Sequence, residues 1–181
     1  THVTAVRGSD IIVYAAGRTI KPGESRESLL VENGLIAKSI SDELILNGTE
    51  TFITISNPVD VLNTFFSRKL GLPNSRVIGF GGMLDAARFR CLISRYVKSE
   101  FGLAISEIEI KKAHVLGQHG QFMTPLFDHI ELPVDVPKLS DTDLNAIRKA
   151  LDAIVPRLIR IRGCADFAPS AHISRLIESL L

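Results

Sequence analysis

Asp85 and Arg88 stand three residues apart in a stretch of helical period from about Met83 to Lys98, so both side chains lie on one face and can meet a common ligand. An ordinary intrahelical ion pair has the same spacing and is abundant on solvated helices. What distinguishes this pair is its place just after Gly81-Gly82, at a helix start beside a sheet edge. His119 sits inside Gly117-Gln118-His119-Gly120, where flanking glycines let the backbone come close to another group and leave the imidazole reachable. A histidine so placed can act as general acid or base, against the plainer reading of a turn residue without chemistry. Arg18, Lys21 and Arg26 bring three cations into one loop against a single carboxylate, Glu24. Such a loop is either merely solvated or able to fold down on an anionic substrate and exclude water. Asn33 falls on the apolar stripe of a helix, where an amide needs a buried partner from protein or cofactor.

These residues need a scaffold, and the pattern supplies one: apolar runs of strand length alternate with longer segments of helical period, as in β-α-β units around a parallel sheet. Asp10–Ala16 reads as a buried strand, apolar on both faces, followed by the Gly17–Arg26 loop. Residues 27–46 read as a long amphipathic helix with its stripe on Leu29, Leu30, Ile36, Ala37, Ile40 and Leu44, stopped by Asn47-Gly48. Thr51–Ile55 is a second buried strand ending in Ser56-Asn57-Pro58. Pro58 opens a helix to about Leu70, Arg76–Ile78 is a short strand, and the Met83 helix follows. Ligands of open α/β sheets bind at the carboxyl ends of strands, which puts Gly17 and Asn57 where a site belongs.

Past Ser99, Ile108, Ile110 and residues 114–116 suggest a strand, residues 117–120 a turn, and residues 122–132 further extended chain, so antiparallel pairing is expected. Ser140 caps a helix that Pro156 should kink or interrupt, and a last helix runs from about Ser170 to Leu181. The fold class is therefore α/β: a partial Rossmann-type parallel sheet over residues 1–80, then the start of an α+β catalytic domain over residues 81–181.

Composition narrows the function classes. Of 181 residues, 45% are hydrophobic, enough to close a core without disulfides. A net charge of +1 gives no broad attraction to nucleic acid or anionic lipid. No apolar run approaches the roughly 20 residues of a membrane span. Two cysteines suit a reducing compartment, so the cytoplasm is expected. The chain opens on Thr1 and shows no secretory signal pattern. His2 and His172 look like surface positions. His114, His119 and His129 match no known zinc spacing, so no metal is expected. No G-x-G-x-x-G or G-x-x-x-x-G-K occurs.

In order and spacing, the chain resembles the NAD-dependent lactate and malate dehydrogenase family from about Asp10 to Leu181. The stretches that carry the likeness are Tyr14-Ala15-Ala16-Gly17, Lys21-Pro22-Gly23-Glu24-Ser25-Arg26, Ile55-Ser56-Asn57-Pro58-Val59-Asp60-Val61-Leu62, Val77-Ile78-Gly79, Leu84-Asp85-Ala86-Ala87-Arg88-Phe89-Arg90 and Gly117-Gln118-His119-Gly120. Gly81-Gly82 before Leu84-Asp85, and Met123-Thr124-Pro125-Leu126 after the histidine, look most like the malate dehydrogenases related to lactate dehydrogenase.

The resemblance implies roles. His119 matches the proton donor and acceptor, Asp85 the carboxylate that orients it and stabilises its charged form, and Arg88 the fork on the substrate carboxylate. Arg26 matches the loop arginine that closes over the site and polarises the reacting carbonyl. Asn57 matches the strand-end amide near substrate and nicotinamide, while Gly17, Asn33, Ile55 and Ser56 line the cofactor side. NAD is the implied cofactor, a 2-oxo or 2-hydroxy acid the substrate, and a homodimer or homotetramer the assembly, with no nucleic-acid or membrane partner. Chemically this is coherent, because reduction of a 2-oxo acid builds negative charge on oxygen that a protonated histidine and an arginine can meet.

The chain departs from the family at three places. The glycine-rich turn and the acidic ribose-reading residue are not in it, and family chains continue past its last helix; a segment lacking both ends is expected, NAD and NADP are not distinguished, and tight NAD binding by this stretch alone is not expected. Ile20, six residues before Arg26, stands where malate dehydrogenases have the arginine that pairs the second carboxylate; Arg18 is two residues earlier. Gln121 stands where an aspartate is usual. Malate and oxaloacetate are the favoured pair. Ile20 keeps an L-lactate or apolar 2-hydroxy acid dehydrogenase in play, and a non-catalytic relative would follow if the glycine-rich turn were truly absent.

Overall fold

A computed structural model of the chain describes residues 6–21, 23, 24 and 27–181. Two compact units emerge, one running to Gly81 and taking in Ile173–Leu181, the other Gly82–His172.

In the first unit, β1 (Ile11–Tyr14), α1 (Leu30–Glu43), β2 (Thr51–Thr54), α2 (Val59–Leu70) and β3 (Val77–Gly79) alternate along the chain. The strands form a parallel sheet in the order β1-β2-β3, with Tyr14 opposite Thr54 and Thr54 opposite Gly79 at the carboxyl edge. This is a Rossmann-type β-α-β-α-β arrangement. Every residue of central β2 is buried, as a parallel strand covered on both faces requires. β1 departs from the expectation of burial on both faces: it is shorter than Asp10–Ala16, Val13 is 38% exposed, and among the described residues β1 is an edge strand. The core joins Ile12, Tyr14, Ala37, Phe52, Leu62, Phe66 and Val77, with the Tyr14, Phe52 and Phe66 rings in mutual contact.

Helix α1 also differs from its sequence pattern. A 3-10 turn at Glu27–Leu29 precedes it, it ends at Glu43, and its buried positions are Asn33, Ala37 and Ser41, four residues apart, while Leu30, Val31 and Leu35 are exposed. The small and polar line faces inward because Asn33 has backbone to bind there. α2 ends as its sequence dictates, with Arg68 and Lys69 in the last turn and Gly71 in the left-handed conformation after it.

The second unit is built on α3 (Gly82–Phe101) and α4 (Asp141–Arg162). Phe89, Ile93 and Val97 recur at four-residue spacing on α3 and share a core with Ile147 and Leu151 of α4, with Ile105, Ile110, Ala113 and Val115 packed alongside. β4 (Val115–Leu116) pairs antiparallel with β5 (Thr124–Pro125), and a bridge joins Lys111 to Glu131, so the expected antiparallel pairing is present. Ile108 is not part of it; it is 89% exposed, in a turn.

Ser140 caps α4 in a capping box with Asp143. Pro156 does not interrupt that helix. Its side is exposed, and Leu151 before it and Ile159 after it are both buried and hold the helical course. The last helix, α5 (Phe167–Leu180), begins three residues earlier than the sequence suggests.

Candidate active site

In the second unit, the first turn of α3 carries Asp85 into the interior, its side chain 5% exposed. A buried carboxylate requires charged or donor partners. Here the two oxygens divide them: Oδ2 lies 2.5 Å from His119 Nδ1, and Oδ1 lies 3.4 Å from Arg88 Nη1. His119 and Arg88 are themselves nearly covered, with side chains 9% and 10% exposed. A carboxylate oxygen accepts in such a contact, so Nδ1 is the donor and Nε2 is the other ring nitrogen. The contact to Arg88, at 3.4 Å, is long for a charge-assisted hydrogen bond. The pair anticipated from i,i+3 spacing is therefore present, but as part of a three-residue cluster with His119.

His119 is placed by its backbone. Gly117 has φ +87°, and a Cβ there would stand 2.5 Å from the Phe122 carbonyl oxygen, so only glycine lets the returning chain pass. The β4–β5 pair closes this loop, and Arg148 of α4 donates to the Met123 carbonyl at 2.9 Å. Arg148 was not singled out from the sequence; a helix arginine 25 residues from the carbonyl it binds leaves no local signal. His114 and His129 are exposed on either side of the pair. No group of three described His, Cys, Asp and Glu side chains is arranged to hold a metal.

In the first unit, the carboxyl ends of β1 and β2 are tied together. Ile55 N–H donates to Tyr14 O at 2.9 Å, and the Ser56 hydroxyl donates to Ala16 O at 2.7 Å. Asn33 is fully buried, and the partner it was expected to need is protein. Its Oδ1 accepts from Arg18 N–H at 2.6 Å, and its Nδ2 donates to Arg18 O at 3.1 Å and Asn57 O at 2.7 Å. Gly17, at φ +152°, passes so close that a Cβ would lie 3.0 Å from the Asn33 amide. The Asn57 side-chain Oδ1 is buried and accepts no hydrogen bond among the described residues.

Arg18 is engaged, with Nη1 2.8 Å from Glu24 and Nε 2.5 Å from Glu32. Glu24 also accepts from Lys21 N–H, and Arg18 together with that bond holds its carboxyl below the usual range. Glu24 is the one loop carboxylate legible from the sequence, whereas Glu32, which α1 brings up from 14 residues away, carries no local signal. Ile20 is half-buried. Arg26 lies outside the described residues.

The family model for the lactate/malate dehydrogenase NAD binding domain matches residues 1–79. The malate dehydrogenase of Chlorobium luteolum is 38% identical over 96% of this chain and 55% of its own length. The chain is thus similar to the lactate/malate dehydrogenase family over nearly all of its length. Within that family it is also 33% identical to the L-lactate dehydrogenase of Bacillus velezensis, over 97% of this chain and 56% of that one. A solved lactate dehydrogenase of Cryptosporidium parvum, complexed with lactic acid and β-nicotinamide adenine dinucleotide, superposes with a TM-score of 0.86 at 25% identity, covering 98% of this chain and 57% of that one. The chain thus spans about half the length of the dehydrogenases it matches.

Proposed function

We propose that this chain carries the proton-transfer and carboxylate-binding residues, and part of the cofactor groove, of an NAD-dependent 2-hydroxy acid dehydrogenase, an oxidoreductase acting on CH–OH with malate and oxaloacetate as the favoured pair. The observation that carries the proposal is the buried Asp85–His119–Arg88 cluster. In this reading residues 1–80 serve the cofactor and residues from 81 onward the substrate.

The nicotinamide end of NAD fits the first unit: Asn57 Oδ1 is a buried acceptor in want of a donor, and Gly17 offers a strand end with no side chain. Gly17, Asn33, Ile55, Ser56 and Asn57 form the cofactor side, Asn33 through the backbone it fixes. Bound NAD supplies or takes up the hydride. His119 gives its Nε2 proton to the substrate oxygen as negative charge grows there, and takes it back in the reverse direction. Asp85 orients the imidazole through Nδ1 and stabilises the imidazolium, as a buried anion does. Arg88 binds the substrate carboxylate with a planar two-donor fork. Arg26 is assigned to covering the site and polarising the carbonyl, and Asn57 to contact with the substrate.

A second reading, an L-lactate or apolar 2-hydroxy acid dehydrogenase, is favoured by Ile20 and by the commitment of Arg18 to two glutamates. A homodimer or homotetramer belongs to the proposal, supported by the exposed Leu30, Val31 and Leu35 on α1. No helix of the described residues is long and apolar enough to cross a membrane. A cytoplasmic location is likewise proposed, from the two unpaired cysteines.

The test is His119→Asn in the intact enzyme that carries this chain. Turnover with NADH and oxaloacetate or pyruvate should fall roughly 10²-fold or more, the scale of a positioned acid or base. Near-parental rates with every 2-oxo acid tried would remove His119 from the mechanism.

A further inference from the structure

The connection from α1 to β2 contains Asn47-Gly48, both exposed, followed by Thr49 and Glu50. Glu50 is the unusual member. It is a carboxylate only 3% exposed, and the donors that meet it are backbone amides. Oε1 accepts from Asn47 N–H at 2.7 Å, and Oε2 accepts from Gly48 N–H at 2.9 Å and Thr49 N–H at 3.0 Å. The three amides hold its carboxyl below the usual range, so it is ionised at neutral pH.

Asparagine followed by glycine is the pair most prone to closing on itself, because glycine puts no side chain in the path of its own nitrogen. The Gly48 nitrogen, having lost its proton to solvent base, attacks Asn47 Cγ. The side-chain nitrogen leaves as ammonia, and a five-membered succinimide results. Water then opens either ring carbonyl, giving aspartate or isoaspartate, so the net exchange is one amide nitrogen lost as ammonia for one oxygen gained from water. The slow requirement is a Gly48 nitrogen stripped of its proton and turned toward Cγ.

We propose that Asn47-Gly48 is a succinimide-forming modification site kept closed by the Glu50 carboxylate. Two effects of the same contact close it. The bond from Gly48 N–H to Oε2 holds that nitrogen toward Glu50, and an anion 2.9 Å away opposes creation of a second negative charge on it. The neighbouring bonds from Asn47 and Thr49 fix the turn, so the ring-closing rotation must break the whole cradle. The site also matters to the fold. Thr51, the next residue, opens β2 by donating to Asp10 O, and the isoaspartate product would insert an extra backbone carbon four residues upstream of it.

The experiment incubates the 181-residue chain at neutral and mildly alkaline pH. It follows Asn47 by peptide mass mapping and by enzymatic methylation of isoaspartate, with circular dichroism confirming the fold. A synthetic peptide spanning Leu44–Thr51 provides the unrestrained rate. The folded parent should convert at least tenfold more slowly than the peptide. Folded Glu50→Gln should convert at least tenfold faster than the parent, the ratio that loss of one charge-assisted hydrogen bond implies. Asn47→Ser in the same background should abolish the product. A folded Glu50→Gln that converts at the parental rate overturns the proposal. If Glu50→Gln does not fold, the parent-to-peptide comparison decides, with equal rates overturning it.

Discussion

At the scale of single residues, Arg88 poses the choice between a ligand-binding guanidinium and a structural ion pair with Asp85, which lies 3.4 Å away. The role proposed for it is the first. Arg88→Lys in the intact enzyme is therefore expected to raise KM for every 2-oxo acid while leaving NADH binding nearly unchanged, since an ammonium keeps the charge but loses the fork. Steady-state kinetics beside a cofactor titration read the two separately, and equal losses in both would mark Arg88 as part of the fold. Which residues met was only partly legible beforehand. Asp85 and Arg88 share a helix face by arithmetic, and Gly117 announced a close backbone approach. That His119, 34 residues on, meets Asp85 is implied by the family resemblance and is not a contact that periodicity alone can supply. Asn33 was read correctly as an amide in need of a buried partner, while the identity of that partner depended on where two loops end.

At the scale of elements, the alternation of strands and helices and the Ser140 cap could be read from the sequence because periodicity and capping chemistry are local. The face that α1 buries could not, since Asn33, Ala37 and Ser41 turn inward to satisfy backbone groups while better hydrophobes stay outside. The loop between β4 and β5 gives a sharp test of positioning. Gly117→Ala combines a positive φ with a Cβ 2.5 Å from the Phe122 carbonyl, so the strain of about 1–3 kcal/mol should lower the melting temperature and displace His119. A variant that keeps both parental stability and parental turnover would show that the loop tolerates a side chain there. The contact between α3 and α4 gives another test. Tyr96 donates to Asp143 at 2.6 Å, which pushes its phenol up to about 12, and burial raises Tyr14 as well. A raised native pKa means that the folded state retains protons the unfolded state has lost. The Tyr96 contribution is thus complete below about pH 10 and fades as pH rises toward 12. These are the only two tyrosines, so ultraviolet titration of the native chain should show no tyrosinate step near pH 10, while the denatured chain titrates there. A native step at the ordinary position would contradict the Tyr96–Asp143 contact.

At the scale of the whole molecule, the question is which acid the proposed dehydrogenase takes, and two lines of argument pull apart. Similarity to malate dehydrogenases over nearly the whole chain, with Gly81-Gly82 and the Met123 segment, favours oxaloacetate. The loop favours an apolar acid: Ile20 cannot pair a second carboxylate, and leaving that charge desolvated beside it would cost several kcal/mol. Arg18, two residues earlier in the chain, is the substitute weighed here, but Glu24 and Glu32 already hold its guanidinium, so reaching a substrate means giving up both contacts. Exposed pairs of this kind are individually weak, so a desolvated substrate dianion can outbid them. The preference for malate therefore requires Arg18 to change partners. Oxaloacetate should then exceed pyruvate in kcat/KM for the intact enzyme, and Arg18→Ala should erase the difference while sparing pyruvate. If Arg18 stays with its glutamates, pyruvate or a longer apolar 2-oxo acid wins, Arg18→Ala changes little, and Ile20→Arg raises the oxaloacetate rate by supplying a charged donor. Measuring kcat/KM for both acids on the parent and these two variants decides between the readings, and a parental preference for pyruvate would overturn the malate assignment.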